Sequence, residues 1–114
     1  MSVHIRKWDV WVADLNPPRG TEPGKVRPVI VVQTDLLNSV HPSTIVCPTT
    51  TRVRSGVSYL RVHLAPGEGG LPRPSDVLVD QIRAVDNRRL VRRLGALTAA
   101  SSERLARNLA VVLG

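Results

Sequence analysis

Apolar residues that alternate with a period of two, interrupted by proline and glycine clusters, constrain the fold of this chain most strongly. Valine is the commonest residue, and β-branched segments dominate roughly the first three quarters of the sequence. Such alternation is typical of half-buried strands, whereas an apolar repeat of helical period appears only near the C-terminus. The sequence therefore predicts a small, mainly β body followed by one helix.

Five strand segments can be placed before residue 86. They are Trp8–Leu15, Arg27–Gln33, Ser43–Thr50, Val57–Leu64 and Ser75–Val85. The first two are apolar on both faces, which indicates burial on both sides of the sheet. Five short strands within about 80 residues favour a compact barrel over a sandwich.

The C-terminal part carries the helical signal. Thr98 is a plausible N-cap, and Leu105, Leu109 and Val112 then recur at helical spacing, so this stripe should pack on the barrel. The segment 87–96 permits two interpretations, a helical turn followed by a short strand or a continuous loop. With 114 residues and 42% hydrophobic content, we expect a single domain over 1–114.

The sequence gives no indication of export or membrane insertion. No segment approaches the roughly 18 consecutive apolar residues that cross a bilayer, and residues 1–7 do not resemble a signal peptide. We therefore expect a cytoplasmic protein. A single cysteine, Cys47, excludes an internal disulfide and a multi-cysteine metal site, and it is predicted to be a small buried hydrophobe.

The charge of the chain is strongly positive. Sixteen Lys and Arg residues against nine Asp and Glu give +7 and a pI near 11.3, which favours a polyanionic partner such as nucleic acid. Fourteen of the sixteen cations are arginine, which can hold phosphate in a bidentate way. Membrane-surface binding is disfavoured because no basic stretch is also amphipathic with exposed aromatics.

Several common catalytic arrangements do not occur in the sequence. It contains no glycine-rich phosphate loop, nucleophile elbow or Cys/His ligand spacing. An RNA-cleaving histidine pair would need two of the three dispersed histidines to converge. Three carboxylates could in principle hold Mg²⁺, but they are more readily explained as solvated or arginine-paired side chains. The residues concerned are His4, His41, His63, Asp76, Asp80 and Asp86.

Polar residues at two strand ends are the remaining candidates for chemistry. Arg27 begins a buried strand directly after an irregular loop, and Pro28 restricts it to an extended backbone. The triplet 49–51 of threonines ends another strand, where hydroxyl groups can donate to phosphate oxygens. Taken singly, each of these positions is better explained by a structural role, as a salt-bridged arginine or as a β-branched strand residue.

Four segments in order resemble the MazF/PemK family of toxin endoribonucleases over roughly residues 6–113. They are Asp9–Pro17, Arg19–Val32, Ile45–Thr50 and Asp80–Arg83. The resemblance implies an SH3-like β-barrel with a C-terminal helix, a homodimer, and growth inhibition by sequence-specific, metal-independent cleavage of single-stranded RNA, with no cofactor. It also implies a MazE-like antitoxin partner with an acidic tail that occupies the RNA groove.

By this resemblance the family's catalytic arginine corresponds to Arg27 and its catalytic threonine to Thr50, although Thr49 or Thr51 could hold the latter role. The expected reaction is attack by the substrate's own 2′-hydroxyl, which yields a 2′,3′-cyclic phosphate and a 5′-hydroxyl. Pro23 and Lys25 depart from the family pattern in the loop expected to line the RNA site.

Base recognition is assigned to polar side chains of the loops, since unpaired bases expose their hydrogen-bonding edges. These residues are Asn16, Arg19, Thr21, Glu22, Lys25, Arg52 and Gln81. Trp8 and Trp11 are expected to serve packing rather than base stacking. Two other functions remain open, a gyrase-poisoning toxin of the CcdB type and a noncatalytic RNA-binding barrel.

Overall fold

The described residues of this computed structural model, 4–17, 20–21 and 25–114, form seven strands followed by one helix. The strands are β1 (Asp9–Asp14), β2 (Val26–Val31), β3 (Ser43–Thr50), β4 (Arg61–Leu64), β5 (Ser75–Leu78), β6 (Arg83–Asp86) and β7 (Leu90–Ala96), and the helix is α1 (Ala99–Leu113). Short 3₁₀ turns lie at Glu68–Gly70, Val79–Gln81 and Asn87–Arg89. The predicted mainly β fold with a C-terminal helix is confirmed.

All strand pairs are antiparallel, and β3 lies at the centre of the sheet. The order is β4-β5-β3-β2-β1-β7, and β6 adds to β3 outside this path. Within the part of the chain that the structure describes, these pairings form an open path rather than a closed ring. One edge of β3 pairs with β2, and the other is shared between β6 at its start and β5 at its end.

The core lies on both faces of this curved sheet, because successive side chains of a strand point to opposite sides. On β2, Ile30 packs in one cluster with Val10, Cys47 and Leu105, whereas its neighbour Val29 belongs to a second cluster. That second cluster includes Trp11, Leu15, Val31, Val46 and Val85. The prediction that the first two strands are buried on both faces is thus confirmed.

Two predicted strands differ from the observed ones. The segment predicted as one strand, Ser75–Val85, is broken by the 3₁₀ turn Val79–Gln81, because β5 and β6 pair with different parts of β3 in different registers. The predicted Val57–Leu64 strand begins only at Arg61. For the segment 87–96 the sequence permitted two interpretations. The structure shows a 3₁₀ turn followed by β7, which agrees with the first of them, a helical turn followed by a short strand.

Helix α1 begins as predicted. The Thr98 hydroxyl accepts a hydrogen bond from the backbone N–H of Ser101 at 3.2 Å, and Leu105 is fully buried against the sheet. Leu109 and Val112 pack against the same cluster, which confirms the predicted stripe. None of the helices among the described residues combines the length and apolar character that a membrane crossing requires.

Cys47 occupies the interior of the first cluster with no exposed surface, as predicted. Burial, followed by the nearby charge of Asp80, raises the pKa of the Cys47 thiol to about 12. This thiol is therefore a packing residue and not a nucleophile at neutral pH.

Candidate active site

A cleft of about 830 Å³ opens where the start of β2 meets the end of β3. The segment 51–61, the loop before β5 and the 3₁₀ turn after it complete its walls. Strand ends and loops supply most of the lining, so the sheet fixes the position of the site while the loops set its chemistry. The lining also includes the apolar residues Val57, Leu60, Leu71 and Leu78.

The described lining of the cleft is strongly cationic. Six basic side chains contribute to it, against one carboxylate, that of Asp80. The six are Lys25, Arg27, Arg52, Arg54, Arg61 and Arg73. Low-dielectric walls lined by one sign of charge concentrate the electric field, so this cleft is suited to an extended anion.

Arg27 lies on β2 at the edge of the cleft and is half-buried. Its guanidinium Nη1 donates to the backbone carbonyl of Thr49 at 3.1 Å. Because Ala13 pairs with Arg27 in the β1–β2 ladder, the backbone of Arg27 is held by the sheet as well as by Pro28. Both the backbone and the side chain are therefore oriented by neighbouring strands.

The three threonines have different environments. Thr49 is buried, and its hydroxyl donates to the carbonyl of Pro28 at 2.8 Å. Thr50 is half-buried, and its Oγ1 accepts from the backbone N–H of Arg52 at 3.1 Å. Thr51 is exposed beyond the end of β3. Among the residues that the structure describes, the Thr49 hydroxyl is the one of the three that donates a hydrogen bond, and all three residues line the cleft.

Asp76 is a buried carboxylate directly behind the cleft, on β5 opposite Thr50. Its Oδ2 accepts from the backbone N–H of Arg54 at 2.9 Å and from Arg61 Nη1 at 3.1 Å, and its Oδ1 lies 3.0 Å from Nδ1 of His63. Burial raises the pKa of Asp76, but the hydrogen bonds from Arg54, His63 and Arg61 together outweigh it and lower the pKa below 3.8. Asp76 is thus a charged acceptor at neutral pH.

The structure brings most of the predicted site residues together. Those that line the cleft are Thr21, Lys25, Arg27, Thr50, Arg52 and Gln81. Asn16 does not line it. Its side-chain Oδ1 instead accepts from the backbone N–H of Lys25 at 2.6 Å, so it contacts a residue of the lining. The predicted residues Arg19 and Glu22 lie outside the described residues.

Four residues of this region were not predicted as part of the site. Arg54, Arg61 and Arg73 line the cleft, and Asp76 holds two of them. The sequence shows that arginines are numerous but not which of them share a cleft. Their convergence in the cleft depends on the pairing of β4 with β5, which no local sequence pattern reveals. From the sequence, Asp76 is interpreted as a solvated or arginine-paired carboxylate or as a possible Mg²⁺ ligand, and not as a residue that supports the site.

The alternative sites considered from the sequence find little support in the geometry. The predicted strand Ser75–Val85 would place Asp76 and Asp80 on one strand face, and this is wrong because β5 ends at Leu78 and Asp80 lies in the 3₁₀ turn after it. Asp76 pairs with Arg61 and Asp86 with Arg88, as the arginine-paired interpretation predicted. No cluster of three potential metal-ligating side chains occurs among the described residues. The three histidines, all described, lie outside the cleft lining.

The tryptophans serve packing, as predicted. Trp11 is buried in the second core cluster, and its indole N–H lies 3.3 Å from Asp9. Trp8 packs partly against the first cluster, with the Lys7 ammonium 4.7 Å from its ring centroid. Neither ring is part of the cleft lining.

Comparison with known proteins identifies the family to which this sequence is similar. The sequence model of a family described as PemK-like, MazF-like toxin of type II toxin–antitoxin system matches residues 6–113. That range contains nearly the whole chain and every described residue of the cleft.

Solved structures with similar folds include several toxins. A Mycobacterium tuberculosis toxin, MazF-mt6, shares 26% identity at a TM-score of 0.77, over 92% of this chain and 95% of that chain. A MazE–MazF complex from Deinococcus radiodurans shares 26% identity at 0.77, over 96% of each chain. A mycobacterial endoribonuclease in complex with its cognate antitoxin, at 22% identity, shares the fold at 0.79 over 97% of this chain and 96% of that chain.

Proposed function

Because the chain belongs to the PemK-like, MazF-like family of type II toxin–antitoxin toxins, we propose that it is an endoribonuclease that cuts single-stranded RNA without a metal ion. The observation that carries this proposal is the presence of Arg27 and Thr50 in one cationic cleft, connected through the hydrogen bond from Arg27 to the carbonyl of Thr49. We infer that the protein inhibits growth by destroying cellular RNA in the cytoplasm.

The charge of the cleft supports an RNA substrate. The lining has six basic side chains and one carboxylate, so it would attract a chain of phosphates. The same excess of positive charge would disfavour the binding of a divalent cation. The apolar residues of the lining offer surface against which unstacked bases can pack. A single-stranded segment therefore matches both halves of the cleft.

The proposed reaction uses the nucleophile that RNA already carries. The 2′-oxygen attacks the adjacent phosphorus while the bond from phosphorus to the 5′-oxygen breaks, and the intramolecular geometry supplies proximity. The 2′-hydroxyl proton passes to solvent, and the 5′-oxygen takes up a proton as it leaves. The products are a 2′,3′-cyclic phosphate and a 5′-hydroxyl, and no water is consumed in this step.

In this reaction Arg27 and Thr50 stabilise the negative charge that develops on the nonbridging oxygens. A well-placed donor of this kind contributes about 3 kcal/mol to the transition state. We also assign to Arg27 the donation of a proton to the leaving 5′-oxygen. Solvent, which takes up the 2′-hydroxyl proton, then returns a proton to the neutral guanidine, because arginine is a strong base.

The choice of Thr50 over its neighbours rests on hydrogen bonding. The Thr49 hydroxyl donates to Pro28, which removes it as a donor to phosphate. The Thr50 Oγ1 accepts from the N–H of Arg52, and a hydroxyl that accepts one bond keeps its proton for donation. Thr51 follows the end of β3 and lacks the support of the sheet.

Recognition of the RNA sequence is proposed to come from polar side chains around these two residues. Thr21, Lys25, Arg52 and Gln81 line the cleft and can contact base edges. Asn16 would act indirectly, by holding the backbone at Lys25. Arg19 and Glu22 remain candidates from the sequence.

We propose that the protein functions as a homodimer and that its partner is a MazE-like antitoxin with an acidic tail. Two of the similar structures are toxin–antitoxin complexes, which supports the antitoxin partner. An acidic segment bound along the basic cleft would compete with RNA for the same arginines. Inhibition would then be relieved by salt as well as by RNA.

The test is incubation of the purified protein with a long single-stranded RNA in the presence of EDTA. The proposal predicts discrete fragments, whose mapped 5′ ends define the recognition sequence. Intact RNA would contradict it and would favour a noncatalytic RNA-binding barrel if the RNA shifts in a gel, or a gyrase-poisoning toxin of the CcdB type if DNA gyrase is inhibited instead. Loss of all fragments in Arg27→Ala would exclude a contaminating nuclease.

A further inference from the structure

We infer that Asp76 is a positioning residue of the cleft, which orients the Thr50 hydroxyl and the arginines beside it without contacting the substrate. This inference rests on the proposed ribonuclease function and adds a residue to it. Asp76 is 1% exposed and lies behind the lining rather than in it.

The segment that follows Thr50 is anchored by Asp76. Asp76 Oδ2 receives the backbone N–H of Arg54 at 2.9 Å, which anchors the far end of this segment. The same oxygen receives Arg61 Nη1 at 3.1 Å, and that Nη1 also donates to the carbonyl of Arg52 at 2.8 Å. One carboxylate therefore holds the segment 52–54 at two points, once directly and once through Arg61.

The segment in turn holds the Thr50 side chain. The backbone N–H of Arg52 donates to Thr50 Oγ1 at 3.1 Å, so the position of this peptide decides in which direction the hydroxyl proton can be donated. Asp76 also pairs with Thr50 in the β3–β5 ladder, so sheet and side-chain contacts converge on the same residue. Displacement of a catalytic donor by about 1 Å can reduce a rate by about 10²-fold.

Removal of the negative charge of Asp76 can distinguish a positioning role from a purely electrostatic effect on substrate binding. A carboxylate beside a cleft that binds phosphate repels the substrate, so its removal alone should strengthen RNA binding. If Asp76 positions Thr50 and Arg61, its removal should instead lower the rate of the chemical step. The two roles thus predict opposite changes in activity for Asp76→Asn.

Asp9 provides a matched control on another part of the sheet. It is 3% exposed. Like Asp76, it contacts one backbone N–H, that of Arg6, one arginine side chain, that of Arg93, and one ring nitrogen, that of Trp11. It does not line the cleft. Asp9→Asn therefore changes a similar buried carboxylate without altering the Thr50 region.

The experiment compares wild type, Asp76→Asn and Asp9→Asn on an oligonucleotide that contains the cut sequence mapped for the wild type. We expect kcat of Asp76→Asn to fall by about 10-fold or more, while the Kd for the same oligonucleotide with 2′-deoxyribose at the cut stays equal or decreases. Asp9→Asn should keep kcat within about twofold of wild type.

A second variant covers the case in which Asp76→Asn does not fold. Arg61→Lys keeps the positive charge but cannot bridge Asp76 and the Arg52 carbonyl through one planar group, so kcat should again fall with little change in Kd. Wild-type kcat in either variant, or an equal loss in Asp9→Asn, would overturn the positioning role. Absence of cleavage by the wild type would instead refute the proposed function.

Discussion

Arg27 and Thr49 are connected by a hydrogen bond of 3.1 Å from the guanidinium of the first to the backbone carbonyl of the second. The bond joins the start of β2 to the end of β3, although 22 residues separate the two positions in sequence. Since Thr50 follows Thr49 directly, this contact fixes the distance between the two groups that we propose to act on the phosphate.

Replacement of Arg27 by lysine should impair cleavage although the charge is kept. A lysine ammonium cannot contact the Thr49 carbonyl and a phosphate with the geometry of a planar guanidinium, so we expect kcat to fall by about 10²-fold. Single-turnover cleavage of an oligonucleotide measures this directly. Arg92→Lys on the exposed part of β7 is the control and should be neutral. Near wild-type cleavage by Arg27→Lys would show that only its charge is needed.

The pair Thr49→Val and Thr50→Val separates a structural hydroxyl from a catalytic one. Thr49→Val removes the hydrogen bond that the Thr49 hydroxyl donates to the Pro28 carbonyl and should reduce the free energy of unfolding by about 1 kcal/mol. Thr50→Val should change stability by less than about 0.5 kcal/mol but lower kcat by at least about 10-fold. Urea unfolding and initial rates measure the two effects. The reverse pattern would assign the catalytic role to Thr49.

Acid should destabilise the fold in part through Asp76. Although burial raises the pKa of Asp76, its hydrogen-bond donors lower it below 3.8 overall, so its contribution to stability is complete above the unfolded value and disappears as the pH falls through the folded pKa. The stability difference between wild type and Asp76→Asn should therefore be large at pH 7 and shrink at acid pH. Urea titrations across this range test it. A difference that does not vary with pH would contradict this assignment.

Gly95 should not tolerate a side chain. A Cβ at this position would lie 2.8 Å from the carbonyl carbon and oxygen of Gly69, and backbone atoms cannot move aside as a flexible side chain can. We expect Gly95→Ala to cost about 1–3 kcal/mol. Val91→Ala, an exposed change on the same strand, is the control and should have a small effect. Thermal unfolding of both variants gives the comparison, and equal stabilities would contradict the close approach.

Much of the fold could be predicted because it depends on local patterns. Alternating valines located β1 and β2, and Thr98 with its apolar stripe located α1. The break of the predicted Ser75–Val85 strand could not be predicted. Its cause is the pairing of β5 and β6 with separate parts of β3, which is a nonlocal property. The residues from 57 to 60 likewise have a strand-like sequence but form no strand, and residues 58–60 are a turn directly before β4.

The candidate site likewise contains residues that could be predicted from the sequence and residues that could not. Arg27 and Thr50 were found because they follow loop and strand signals and resemble family motifs. Arg61 and Asp76 were missed because their pairing depends on the β4–β5 register, in which His63 rather than Arg61 faces Asp76 across the ladder. A contact of this kind can be recognised only when the side chains are placed in three dimensions.

The most direct test of the proposed mechanism compares two end-labelled oligonucleotides with the mapped cut sequence, which differ only in the sugar at the cut. Both are incubated with the protein in EDTA. We predict that the ribose substrate is cut to a 2′,3′-cyclic phosphate and a 5′-hydroxyl, whereas the substrate with one 2′-deoxyribose stays intact. Cleavage of the deoxyribose substrate, or a requirement for added divalent metal, would contradict the account.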